Sequence, residues 1–226
     1  MNRILLIAMT TLLIVACDEQ QSVPEYADPS DSTAAIDPAD TNSTAVPVDP
    51  DDPSLWLADR YGMAAGTVTL TVVSGGEKTL QRRTFAESGR IEKLEWWYTG
   101  TDTSGPAFVS VLRGDTLRFL GPADTAVQSQ VWSPELPVAL PNFRRLTETM
   151  SERFAIEEGE PRTVLGRELV GYRITSRGTT SRLWLDDGLM LYGEIEGIPE
   201  KGIEPMIVEA IAIDSSRVDP GVFVLE

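Results

Sequence analysis

Histidine is absent from all 226 residues, and cysteine occurs once, at position 17. These two absences exclude Ser-His-Asp and Cys-His nucleophilic sites, zinc held by His or Cys, and any disulfide within the chain. A phosphate loop, a dinucleotide fingerprint and an EF-hand loop are also missing, so no cofactor and no metal are expected. Basic charge is scarce. Nineteen Lys and Arg face 35 Asp and Glu, for a net charge of −16. Nucleic acid needs a basic footprint and is not an expected partner. No stretch reaches the 18 or more apolar residues of a membrane-spanning helix. Carboxylate chemistry needs none of the missing types, but no pair of acids stands out. Asp186-Asp187-Gly188 reads as a turn between two β runs, and Glu92 and Glu95 fall on opposite faces of one predicted strand. An enzyme is not expected.

What is present begins with an export signal. Arg3 supplies a positive start, Ile4 to Val15 an apolar run of 12 residues, and Ala16 a small residue before Cys17. A helix of that length rises about 18 Å, short of a hydrocarbon core of roughly 30 Å. Ile14-Val15-Ala16-Cys17 resembles the bacterial lipobox, in which the cysteine is acylated and becomes the mature N-terminus. The resemblance implies removal of residues 1–16 and membrane attachment through two or three acyl chains on Cys17. One chain alone holds only marginally, at roughly 0.8 kcal/mol per buried CH₂, whereas several hold durably. Asp18 resembles the signal that retains such proteins in the inner membrane, which favours that membrane over the outer one.

Residues 17–54 read as a tether. From residue 18 to 54 there are ten acids, no Lys or Arg, and one aromatic, Tyr26. Such a segment cannot bury enough apolar surface to offset its ordering entropy and is expected to be disordered. Its r.m.s. span is roughly 30–37 Å before self-repulsion extends it, which would hold a domain off the bilayer. The remainder, 55–226, holds 25 acids against 18 basic residues, a net −7.

That remainder reads as one mainly β domain. Thr67 to Val73 is dense in β-branched residues, Ser74-Gly75-Gly76 is a hairpin-type turn, and Lys78 to Phe85 returns. Further strands are expected at Ile91 to Thr99, Ala107 to Arg113, Thr116 to Leu120, Ala126 to Trp132, Thr163 to Leu165, Glu168 to Thr175, Thr180 to Leu185, Leu189 to Ile195 and Ile207 to Ile213. Their turns include Gly166-Arg167 and Asp186-Asp187-Gly188. About ten strands at hairpin spacing predict an antiparallel sheet or barrel. Leu94, Trp96 and Tyr98 share one face of their strand, with Glu92 near its start. Two helices are predicted: a short entry helix over Pro53 to Tyr61, and Asn142 to Glu158, where Phe143, Leu146, Met150 and Phe154 recur on one helical face. The second is either a core helix or a lid.

The later motifs carry a resemblance. Gly166 to Tyr172, the Trp184-Leu185-Asp186-Asp187-Gly188-Leu189-Met190-Leu191 hairpin and the closing Asp219-Pro220-Gly221-Val222-Phe223 resemble the C-terminal half of the LolA/LolB/RseB-like envelope proteins. The resemblance implies an incomplete antiparallel β-barrel with helices over its concave face, enclosing space for lipid or lipoprotein acyl chains, in the periplasm. Under it, Leu94, Trp96, Tyr98, Leu117, Phe119 and Trp132, with Phe143 and Met150 from the helix, would line a ligand pocket. The same side chains would equally fill a dry core. No position matches the carriers' gating arginine, and Leu136 to Leu140 is the one candidate for an exposed apolar loop. Two functions follow: a lipid or acyl-chain binder, or a module contacting another envelope protein.

Overall fold

The computed structural model describes residues 53–99, 105–121, 124, 126–132, 142–146, 154–176, 179–198 and 204–225. The signal segment, Cys17, the tether as far as residue 52, Leu136 to Leu140 and Met150 lie outside them. One short helix, α1 (Pro53–Leu57), precedes eleven strands: β1 (Gly66–Ser74), β2 (Glu77–Ala86), β3 (Ile91–Tyr98), β4 (Phe108–Arg113), β5 (Thr116–Leu120), β6 (Gln128–Val131), β7 (Ala155–Val164), β8 (Arg167–Ser176), β9 (Thr179–Asp186), β10 (Leu189–Ile195) and β11 (Met206–Asp214). They form one open antiparallel sheet in the order β6-β5-β4-β3-β2-β1-β11-β10-β9-β8-β7. The sheet is not closed: β6 and β7 are its two edges.

Turn chemistry explains the hairpins. Asp187 and Gly188 both have positive φ (44° and 88°), which a two-residue turn matched to strand twist requires. The same holds for Leu165 and Gly166 (51° and 76°), so the turn lies one residue earlier than Gly166-Arg167. A leucine in that conformation is strained, and the long β7–β8 ladder it joins holds it there.

The end of the predicted helix over Asn142 to Glu158 is corrected: its last residues are strand, while Leu146 is helical and residues 147–153 lie outside the described residues. A 3-10 turn occupies Phe143–Arg145, and β7 begins at Ala155. The apolar spacing is real, since Phe143, Leu146 and Phe154 are all buried in the main core. The C-terminal part, however, pairs with β8, from Ala155 opposite Thr175 to Val164 opposite Arg167. Pro161 is tolerated there because β7 is an edge strand and the ladder bulges between Gly159 and Arg162. The entry helix is also shorter than expected, ending at Leu57.

One face of the sheet carries the main core. Residues directly opposite in register share a face, which makes Val68, Leu70 and Val72 neighbours of Ile213, Ala210 and Val208 on one side and of Arg83, Gln81 and Thr79 on the other. Trp56 of α1 packs on Trp132 with ring centroids 5.6 Å apart. Asn142, fully buried, ties the two segments by donating from Nδ2 to the carbonyls of Leu55 and Ala58 at 2.9 and 2.6 Å. The opposite face is covered at β4 by the C-terminal segment, where Val111 packs with Phe223 and Leu225.

Candidate functional site

On the core face, β2 and β3 point unusual residues inward. Phe85, Arg83, Gln81 and Thr79 stand opposite Glu92, Leu94, Trp96 and Tyr98. Arg83 and Glu92 are therefore carried into the core by the same alternation that buries Phe85 and Leu94. Two residues from the segment after α1, Arg60 and Tyr61, meet them. Arg83 donates to Glu92 Oε1 at 2.7 Å, Arg60 lies 3.3 Å from Glu92 Oε2, and the Tyr61 hydroxyl also donates to Glu92. Arg60 reaches the carbonyl of Gly89 at 3.3 Å as well. Arg60, Arg83 and Glu92 are 3%, 4% and 7% exposed, so solvent screens none of these contacts.

The electrostatics follow from burial and neighbours. Burial alone would raise the Glu92 carboxyl, but Arg60, Arg83 and the Tyr61 hydrogen bond outweigh it and hold it below the ordinary carboxylate range. Burial, reinforced by Glu92, pushes the Tyr61 phenol up, so it stays neutral and donates. Arg83 is displaced upward: burial opposes its charge, and Glu92 more than compensates. Glu92 is thereby held ionised and Tyr61 neutral by the groups around them.

Beside this quartet, Leu94, Ser110, Leu112, Leu117 and Trp132 join Arg60 and Glu92 around a cavity of about 10 Å³. That is room for about one water molecule. The structure thus brings three of the sequence-predicted lining residues, Leu94, Leu117 and Trp132, to one cavity. Trp96 is buried and clusters with Leu94 and Phe108 apart from the main core, with Phe119 half-buried against them. Tyr98 is half-buried at the end of β3, and Phe143 is buried in the main core. Met150 lies outside the described residues. Arg60, Tyr61 and Arg83 were not singled out by sequence reasoning. The available signal was the alternation of Thr79, Gln81, Arg83 and Phe85, which places an arginine on the same face as a buried phenylalanine.

A second, larger feature lies on the other face of β7 to β10. Gly159 stands opposite Gly171, and Arg173 opposite Arg182, leaving a floor without side chains flanked by cations. The Trp184 indole donates to the carbonyl of Glu160 at 2.9 Å, carrying β7 across Gly171. Arg162 lies 3.5 Å from the Tyr192 ring centroid and 5.3 Å from that of Trp184. It and Arg182 both approach Glu194, at 3.6 and 3.3 Å. Arg162, Arg173, Arg182, Trp184 and Glu194, with Glu157, Glu158 and Glu160, line an open groove of about 680 Å³.

No family model and no curated protein matches the chain. Solved structures do. A complex of MucA and MucB from Pseudomonas aeruginosa superposes with a TM-score of 0.51 at 14% identity, covering 74% of this chain and 57% of the matched chain. The likeness is one of fold. This chain spans less than three fifths of that protein's length. An uncharacterized conserved protein from Thermus thermophilus superposes at 0.49 with 12% identity, covering 73% of this chain and 88% of the other. A LolA superfamily protein from Nitrosomonas europaea superposes at 0.37 with 10% identity, covering 77% and 98%. At this identity the MucA/MucB match shows a shared fold, and the sheet of this chain is open and mainly β.

Proposed function

We propose that this chain is a lipid-anchored, non-enzymatic module of the cell envelope whose domain contacts another envelope protein. One observation carries the choice between the two functions the sequence allows. The cavity at Leu94, Leu117 and Trp132 measures about 10 Å³, whereas the outer groove on β7 to β10 measures about 680 Å³. Ligand pockets for molecules of acyl-chain size run to roughly 300 Å³ and above. The cavity at Leu94, Leu117 and Trp132 falls far below that size, and the outer groove exceeds it. MucB, which shares the fold, is solved in complex with MucA, a protein partner.

A second reading keeps the apolar ligand. It rests on the cluster of Leu94, Trp96 and Phe108, which is separate from the main core and faces the same side of the sheet. In that reading the candidate lining residues open to admit a lipid or an acyl chain.

A photo-crosslinking amino acid at Arg182 and another at Leu117, each in the full-length anchored chain in cells, separate the two. The contact reading expects a discrete protein adduct at position 182, lost when Trp184 is replaced by Ala, and none at 117. Native mass spectrometry of the detergent-extracted chain then expects no retained lipid beyond that on Cys17. A lipid bound at one equivalent, with adducts only at 117, overturns the contact reading in favour of the apolar-ligand one.

A further inference from the structure

The buried quartet does not balance. Arg60 and Arg83 bring two positive charges and Glu92 one negative charge, while Tyr61 is neutral. No other carboxylate lies within ion-pair distance of either guanidinium among the described residues. A lysine or histidine in this position could shed its proton when buried. An arginine cannot, because its guanidinium stays charged under all ordinary conditions. Among the described residues one unit of positive charge is therefore left without a counter-charge in the core, where isolated charge is strongly disfavoured.

Two further observations place the imbalance. The Arg60 Nε–H is buried with no acceptor among the described residues, although the same guanidinium makes its other contacts. Arg60 also lines the cavity of about 10 Å³ that Ser110, Leu94 and Trp132 complete. A hydroxyl and a guanidinium offer donors to that space; the rest of its lining is the Glu92 carboxylate, already paired with both guanidiniums, and the apolar Leu94, Leu112, Leu117 and Trp132.

We propose that this cavity is a binding site for one small monovalent anion of the halide type, held by Arg60 with Ser110. The site neutralises the quartet and fastens the segment after α1 to β3. Its size excludes polyatomic organic anions in this conformation, and the required charge is one. The inference is independent of which partner or ligand the domain takes.

The test uses the full mature chain, acylated on Cys17 and held in detergent micelles. Thermal unfolding is followed while sodium chloride replaces sodium gluconate at constant ionic strength, so that screening is unchanged and only the anion's size varies. A saturable rise in Tm is expected, roughly 5–10 °C at a hundred times Kd for a domain of this size. Bromide should act alike and give one anomalous scattering peak beside Arg60 in crystals. Arg60→Met should abolish the chloride dependence. If that variant does not fold, Ser110→Asp supplies the missing charge from within, and it should fold with the same Tm in chloride and gluconate. Identical Tm values for the wild-type chain in the two salts would overturn the proposal. So would a chloride effect that persists undiminished in Ser110→Asp.

Discussion

Glu92 is the one residue that two buried guanidiniums and a buried phenol share. Replacing it with Gln keeps the shape and removes the charge. Breaking a buried pair from one side costs about 3–5 kcal/mol, since the partners are left uncompensated. Glu92→Gln should lower the unfolding free energy by that order, read from urea midpoints at neutral pH. The same group sets an acid limit. Its folded pKa lies below the unfolded value of about 4.3. Its contribution is therefore complete above that value and is lost as pH falls through the lower, folded one. Below about pH 4.3 the wild-type stability should drop more steeply than that of Glu92→Gln, and parallel slopes would show that Glu92 is not the group responsible. At this scale the sequence was partly informative. Period-two alternation put Glu92, Leu94, Trp96 and Tyr98 on one face, as the register has them. It did not reveal Arg60 and Tyr61, which reach Glu92 from about thirty residues away through a turn with no periodicity of its own.

At the scale of elements, most strands were legible because turn residues bracket β-branched runs. β5 and β10 have the expected limits, and the neighbouring strands differ by a residue or two at their ends. β7 was not legible. Its sequence, Ala-Ile-Glu-Glu-Gly-Glu-Pro-Arg-Thr-Val, has no alternation, because an edge strand exposed along most of its length has no buried face to write one. What anchors it is contact with β8 and β9, above all the Trp184 bond to the Glu160 carbonyl over Gly171. A Cβ on Gly171 would stand 2.3 Å from that oxygen, a backbone atom that cannot swing aside. Gly171→Ala should cost about 1–3 kcal/mol by forcing β7 outward. The expected signature is faster amide exchange confined to Ala155–Val164. Uniform acceleration over the sheet would instead indicate global loss. On the far half of the sheet, Phe223 is buried against Val111 under the C-terminal segment. Phe223→Ala should cost about 3 kcal/mol or more from lost burial and a residual cavity, measured by chemical unfolding.

At the scale of the molecule, the sheet's open order leaves two free edges, and natural sheets manage such edges by bulges, proline and charge. β7 has all three, in its bulge between Gly159 and Arg162, in Pro161 and in Glu157, Glu158 and Glu160. β6 has only four residues. The domain is thereby guarded against indiscriminate strand pairing while keeping the groove beside β7 accessible. Where that groove can act is set by the other end of the chain. Cys17 and 37 following residues without a single basic side chain would fix the domain to one membrane and allow it to range tens of ångströms from the surface. The proposed anchor depends on one sulfur. Cys17→Ser removes the acceptor for the acyl chains and changes nothing in the folded domain. It should abolish incorporation of labelled palmitate and move the chain from the membrane fraction to the soluble envelope fraction, with the unfolding midpoint of the extracted protein unchanged. Retention of Cys17→Ser in the membrane fraction, with residues 1–16 shown to be removed, would overturn Cys17 acylation as what holds the chain there.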